Sequence, residues 1–300
     1  NGIDFFNGHL HIEAGLRWDY FSFDVNGFEL RDVRTDVIGK ESAARFQPKV
    51  AVSLSPFERF PLVFYGNYGR GISSQDARSI IRNPDAPKLS TTDFYQAGTA
   101  YNAPRFSATG SFFLIDRSNE QVFVTDDGSI EFAGPSRSYG FEVKTSTRIN
   151  RFLNFNGGLT QVLDAFFRGE FTTDTPRQRI IVDSAPRTVA NGSLILSELR
   201  GFNSSLSWRH ISNYRLDGED SNIRAAGHDV VDFSVAKRLK RWIDLNFSID
   251  NLLDKRYFET QNFGESRISP TAPIISQIHA TPGYSRAFNF GVTFRFFAKE

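Results

Sequence analysis

The chain has 300 residues, 40% of them hydrophobic, and a formal net charge of +1. That charge excludes the strongly basic footprint of a general nucleic-acid binder, and the absence of Cys excludes disulfides and thiolate metal sites. No stretch approaches the roughly 18 apolar residues of a membrane-spanning helix, and no low-complexity linker divides the chain, so one continuous unit over 1–300 is expected.

Phe is the compositional outlier at 31 residues, against 9 Tyr and 3 Trp. The mean hydropathy of −0.34 does not exclude a membrane, because a transmembrane β-barrel alternates lipid-facing and lumen-facing residues and is never hydrophobic on average. A period of two runs through the sequence. From His9 to Val25, Leu10, Ile12, Ala14, Leu16, Trp18 and Tyr20 oppose His9, His11, Glu13, Gly15, Arg17 and Asp19. The pattern returns at Val50, Val52 and Leu54, at Tyr95, Ala97, Thr99 and Tyr101, and at Tyr139, Phe141 and Val143. Next come Ile243, Leu245, Phe247 and Ile249, set against Asp244, Asn246, Ser248 and Asp250. The last segment places Phe288, Phe290, Val292, Phe294 and Phe296 on one face and Asn289, Gly291, Thr293 and Arg295 on the other.

About twelve such segments reach roughly ten residues, long for soluble strands and suited to tilted strands that cross a bilayer. Short connections near 58, 104, 150, 199 and 239 alternate with long polar stretches at about 24–45, 71–91, 116–136, 168–187, 212–228 and 258–283. One tight rim and one elaborated rim is the layout of an up-and-down antiparallel outer-membrane barrel, with short periplasmic turns and long extracellular loops. A soluble β-sandwich also alternates along each strand. Mid-strand Glu13, Arg17, Asp19, Glu142, Lys144, Asp232, Asp244 and Asp250 nevertheless require one face to be wet. Trp18, Tyr20, Tyr101, Trp208, Trp242 and Tyr257, near strand ends, fit interfacial girdles.

The stretch "DNLLDKRYFE" (Asp250 to Glu259), a long loop and then "ATPGYSRAFNFGVTFRF" (Ala280 to Phe296) closely resemble the last two strands of TonB-dependent outer-membrane receptors. "YGRGISSQDAR" (Tyr68 to Arg78) and "AGPSRSYGFEVKTS" (Ala133 to Ser146) resemble earlier barrel strands of that family. The resemblance implies a barrel of roughly 22 strands around an N-terminal plug, in the outer membrane of a Gram-negative bacterium, with TonB pulling on the plug to import a scarce nutrient. No plug or TonB-contact segment is visible, and the chain opens on Asn1 without Met, so residues 1–300 are expected to be the C-terminal barrel region of such a receptor. Phe296 or Phe297 would be the terminal aromatic read by the barrel-assembly machinery.

No enzyme is visible: there is no Gly-x-Ser-x-Gly nucleophile elbow, and "GRG" at 69–71 is too short for a phosphate loop. His9 and His11, with Glu13, share one face of a strand, where contact with a plug is preferred to a metal site. No cofactor is implied. The commonest substrate of the family, a ferric siderophore or similar chelate, is anionic or oxygen-rich, so loop arginines and aromatics are its natural contacts. The candidates are Arg70, Arg78, Arg82, Arg137, Tyr139, Tyr214, Arg215, Arg224, Gln261, Arg267 and His279. For each, an ordinary loop role or contact with lipopolysaccharide is the competing expectation. Lumen-facing Arg17, Glu142, Lys144 and Arg209 are expected to pair with each other or with the plug. A passive outer-membrane pore or autotransporter-type barrel is the alternative function, and a soluble β-sandwich binding module a third.

Overall fold

The computed structural model describes residues 2–30, 34–85, 87–124, 129–132, 134–168, 180–269 and 271–296. Its strands are β1 (Gly2–Phe5), β2 (Leu10–Leu30), β3 (Arg34–Leu54), β4 (Leu62–Ser74), β5 (Leu89–Asn102), β6 (Phe106–Arg117), β7 (Gln121–Val124), β8 (Ser129–Phe132), β9 (Ser136–Arg148) and β10 (Leu153–Phe167). They continue with β11 (Thr188–Leu199), β12 (Phe202–Ile211), β13 (Tyr214–Arg215), β14 (Arg224–Ala225), β15 (His228–Lys240), β16 (Ile243–Asp250), β17 (Phe258–Ser266), β18 (Ile275–Pro282) and β19 (Ala287–Phe294). One short helix, α1 (Ala77–Arg82), follows β4.

Thirteen strands form a single antiparallel sheet in the order β1-β2-β3-β4-β5-β6-β9-β10-β11-β12-β15-β16-β19. Each strand lies beside its neighbour in sequence except where β7–β8, β13–β14 and β17–β18 stand apart as two-stranded ribbons in the long connections. The sheet does not close among the described residues: β1 and β19 are its two ends. Apart from the β2–β3 junction, the short connections lie at one end of the strands, as the alternating connection lengths predict.

Register converts the alternation of the sequence into two chemically different faces. Ile243, Leu245, Phe247 and Ile249 of β16 stand beside Phe294, Val292, Phe290 and Phe288 of β19, and Leu16, Trp18 and Tyr20 of β2 beside Pro48, Phe46 and Ala44 of β3. This outer face is open: Leu16 is 70% exposed and Phe290 72%. Burial of apolar area contributes about 25 cal/mol per Å², so a continuous aromatic surface of this extent fits lipid rather than water. The opposite, inner face is hydrogen-bonded and polar. Arg17 donates to Asp19 at 2.8 Å, Asn67 to Gln96 at 3.1 Å and Gln96 to Ser111 at 3.1 Å; the Ser205 and Ser234 hydroxyls lie 2.8 Å apart.

The stretch expected to be a loop at 24–45 is instead the upper part of a long hairpin. β2 and β3 pair continuously from Leu10–Leu54 to Leu30–Arg34, and 21 residues at about 3.4 Å each extend about 70 Å, well beyond a bilayer of about 30 Å even when tilted. The polarity of the two faces inverts above Tyr20. Ser22, Asp24 and Asn26 continue the outward row, while Phe21, Phe23 and Val25 occupy the inner side. There α1 packs on β2 and β3, with Val37 and Ile80 buried. A Cβ on Gly39 would lie 2.9 Å from Ile81, so a side chain at that position would push the helix away. Trp18 and Tyr20 therefore mark where the strand leaves the apolar layer.

Trp208 and Trp242 are likewise exposed on the outer face, with Trp242 stacked on Phe294 at 6.2 Å. Tyr257 departs from the girdle expectation. It is 8% exposed and lies 4.6 Å from the His228 ring, because the chain after Asp250 leaves the sheet.

Candidate functional site

The end of the sheet that carries the long connections gathers charged side chains on its inner face, in two clusters. The first lies where the β13–β14 ribbon folds back over β10 and the approach to β11. Backbone bonds hold it: Val182 N–H to the Ala165 carbonyl at 3.1 Å, Ile181 N–H to Gly218 at 3.2 Å, and Ser184 N–H to Arg215 at 2.8 Å. Below the ribbon is a cavity of about 160 Å³ lined by Val162, Ala165, Ile181, Val182, Arg187, Asn213, Tyr214, Arg215 and Arg224 among others. Every charged residue lining it is an arginine.

These arginines are only partly neutralised. Arg224 donates to the Asn213 side-chain oxygen at 2.8 Å, and Arg187 lies 3.8 Å from Asp164. Arg215 has no side-chain partner among the described residues. Asp217 is turned to its own loop, accepting from the Glu219 and Asp220 N–H groups at 2.8 and 2.6 Å. Desolvation, reinforced by repulsion from Asp217, raises the Asp183 carboxyl above its ordinary value. Asp183, next to the lining residue Val182, therefore loses its charge at a higher pH than an ordinary aspartate. A cavity of this size admits a group of a few heavy atoms, and guanidinium forks with a phenol beside them suit a carboxylate, a phosphate or a catechol oxygen pair.

The second cluster is built by the Asp250–Glu259 segment. Asn251 is 1% exposed with φ 51°, a left-handed conformation that Asn tolerates better than most residues. Its side-chain amide donates to the Lys255 carbonyl at 2.9 Å and the Tyr284 carbonyl at 2.8 Å. Its oxygen accepts the Lys255 N–H at 2.9 Å, and its backbone N–H bonds Asp232 at 2.8 Å. The turn carries Tyr257 over His228 and brings its hydroxyl to 2.9 Å from Arg209 Nη2, with Glu259 at 3.7 Å from the same guanidinium. Gly283 is required beside it, since a Cβ there would fall 2.2 Å from the Tyr257 ring. Arg209 thus pairs within the wall, as Arg17 does with Asp19 and Lys144 with Glu142 at 3.7 Å.

Of the residues singled out by sequence, Tyr214, Arg215 and Arg224 are brought together. Arg187, which sequence reasoning passed over at the end of a long polar stretch, joins them. Arg78 and Arg82 belong to α1, where Arg78 lies 3.4 Å from Asp76. Gln261 is buried, and its amide exchanges two bonds with the Ala226 backbone at 3.0 and 3.2 Å, latching β17 to the segment before β15. His279 stands across from Asn262 on the β17–β18 ribbon, and Arg267 lies just past β17. Arg70, Arg137 and Tyr139 do not point into the mouth. Register places Arg70 with Asp93, Asp116 with Arg137, and Leu114 with Tyr139, in the same outward row parity as exposed Tyr95 and Phe112. A ligand arriving through the lumen does not meet them. His9 and His11 are also engaged, with the Ser55 carbonyl at 2.6 Å and the Asp4 carboxylate at 2.7 Å.

Comparison with known proteins agrees with this geometry. The family profile "TonB dependent receptor-like, beta-barrel" matches residues 2–252. A curated relative, an uncharacterized TonB-dependent receptor of Haemophilus influenzae, is 23% identical over 160 residues, covering 52% of this chain and 45% of that protein. Among solved structures, the ferric yersiniabactin uptake receptor FyuA of Yersinia pestis superposes with a TM-score of 0.73 at 14% identity, over 96% of this chain and 43% of the other. The copper transporter OprC does so with a TM-score of 0.72 at 17% identity, over 95% and 46%. The chain therefore spans less than half the length of the proteins it matches.

Proposed function

The chain belongs to the TonB-dependent receptor family through its β-barrel domain, and from that premise we propose that it forms part of the wall and mouth of an outer-membrane receptor for an anionic metal chelate, in the first place a ferric siderophore. In this reading residues 1–300 are the C-terminal barrel region, the plug and remaining strands lie outside these residues, and TonB supplies the energy through the plug. The observation that carries the substrate class is the arginine-lined cavity at the inner end of β10 and β11. A whole ferric siderophore exceeds about 160 Å³, so one anionic arm enters while the chelate body stays in the lumen. The inner wall below is hydrogen-bonded within itself, and among the described residues no group of three or more His, Asp or Glu side chains converges.

Binding of ferric chelates to the purified full-length receptor, followed by intrinsic fluorescence, tests this. Arg215→Ala and Arg224→Ala should each weaken an anionic chelate about 10- to 100-fold, the worth of one charge-assisted hydrogen-bond set of about 1.5–3 kcal/mol. Arg78→Ala, on the α1 surface, should leave binding unchanged. Equal affinities for anionic and uncharged chelates in all variants would remove the cavity from recognition.

A further inference from the structure

The charged residues that leave the sheet on its outer side form a second, separate constellation. Tyr68 and Tyr95 pair across β4 and β5 with ring centroids 5.0 Å apart, closing the aromatic layer on this flank. One step further along the outward row, Arg70 grips Asp93 through Nε and Nη2, both at 2.8 Å. Arg137 grips Asp116 in the same way, both at 2.7 Å. Asp93 stands directly across from Asp116, so the four side chains form one continuous outward rung over β4, β5, β6 and β9. Arg168 adds its Nη1 at 3.9 Å from Asp116, and its Nε is buried with no partner among the described residues.

Three guanidiniums against two carboxylates leave a surplus of one positive charge. The bidentate pairs use Nε and Nη2 of Arg70 and Arg137, which leaves Nη1 of each without a partner among the described residues. The carboxylates hold these forks in place, so little rotamer freedom is lost when they bind. The concentration is local. In the outward row above Trp18 and Tyr20, β2 and β3 carry Ser22 opposite Ser42 and the Asp24–Lys40 pair at 2.7 Å. β12 and β15 carry His210 with Asp229 at 2.9 Å.

We propose that Arg70, Arg137 and Arg168 form a binding site for the phosphate of a glycolipid in the outer leaflet, against the flank of β4–β10. The face and the height select the partner: the rung looks away from the lumen and sits immediately above the aromatic layer, where acyl chains end and phosphorylated headgroups begin. Acyl chains then pack on Tyr68, Tyr95, Phe112 and Tyr139, where Phe112 and Tyr139 are 6.3 Å apart. The site rests on the membrane reading of the outer face but not on the identity of the imported cargo.

Native mass spectrometry of the intact receptor in mild detergent tests it, with bis-phosphorylated lipid A, dephosphorylated lipid A and inorganic phosphate as probes. The unaltered receptor should retain the phosphorylated lipid preferentially, and an Arg70→Ala/Arg137→Ala double variant should retain roughly tenfold less. Arg168→Ala, which leaves both bidentate pairs in place, should fall in the same direction by a smaller factor. Arg78→Ala, on the α1 surface, should change nothing here. Unchanged retention in the double variant and in Arg168→Ala overturns the proposal, as does equal retention of the two lipids. Displacement of the lipid by millimolar inorganic phosphate would assign the rung to a free anion instead. Should the double variant lose heat-modifiable mobility on a gel, Arg168→Ala decides alone. A receptor extracted without detergent would overturn the membrane reading itself, a different result from any of these.

Discussion

Replacing Phe290 with Arg is expected to impair insertion of the full-length receptor into liposomes, at a cost of about 2–4 kcal/mol for a cation near the bilayer midplane. Phe290 is 72% exposed in the outward row and stands beside Phe247. An arginine there meets hydrocarbon on one side and a neighbouring phenyl on the other, with no counter-charge within its row. Phe294→Arg should cost less, because Phe294 stacks on Trp242, the residue that marks the lower interface, and the penalty falls to about 0–1 kcal/mol there. Asn289 and Thr293 lie on the inner face, where Asn289 donates to Asp250 at 2.9 Å and Asn246 to Thr293 at 3.2 Å. Asn289→Ala and Thr293→Ala should therefore insert normally. Urea-dependent refolding into liposomes, read as the heat-modifiable gel shift, measures all four, and Phe290→Arg inserting as well as Asn289→Ala and Thr293→Ala would contradict the face assignment.

The second large effect is expected at Asn251. Asn251→Ala removes one acceptor and two donors that bind backbone groups in a site 1% exposed to solvent, leaving the Lys255 N–H and the Lys255 and Tyr284 carbonyls to find other partners. Each such loss is worth about 1 kcal/mol or more, and alanine at φ 51° adds about 1–2 kcal/mol of backbone strain. A loss of about 3–5 kcal/mol is expected in denaturant unfolding of the detergent-solubilised receptor. Tyr257 should lose its place over His228 at the same time. Asn251→Asp keeps the acceptor and the left-handed tolerance and should lie between. Unfolding midpoints of Asn251→Ala within error of the parent would mean that the turn does not organise the segment.

The period-two pattern made the membrane face readable because register in an antiparallel sheet is fixed by alternation: the row Phe288 to Phe294 could be assigned before any pairing was known. What misled was the same rule applied past the membrane. At Tyr20 the chain crosses from lipid to water, and the apolar positions move from even to odd numbers, so the continuation of β2 through Phe21, Phe23 and Val25 looks like a loop. Arg70, Arg137 and Tyr139 sit in comparable stretches, and which side of the wall they leave depends on pairing partners some 25 residues away that local sequence does not encode. Conversely, the motif from Asn251 to Tyr257 was conspicuous by its residues, yet its role lies in a buried amide that ties Lys255 to Tyr284 and in a glycine, Gly283, that makes room for Tyr257. The arginine cavity needed the fold most of all. Arg187 and Arg215 belong to different long connections and meet only because the β13–β14 ribbon folds back over β10.

The proposed import function is tested most directly by supplying a receptor-deficient Gram-negative strain with the full-length gene and measuring radiolabelled iron uptake from individual ferric chelates, with and without TonB. The account predicts saturable uptake of at least one anionic ferric chelate that disappears in the strain lacking TonB and drops sharply with Arg215→Ala/Arg224→Ala. Uptake that is non-saturable and independent of TonB would contradict it and identify a passive pore.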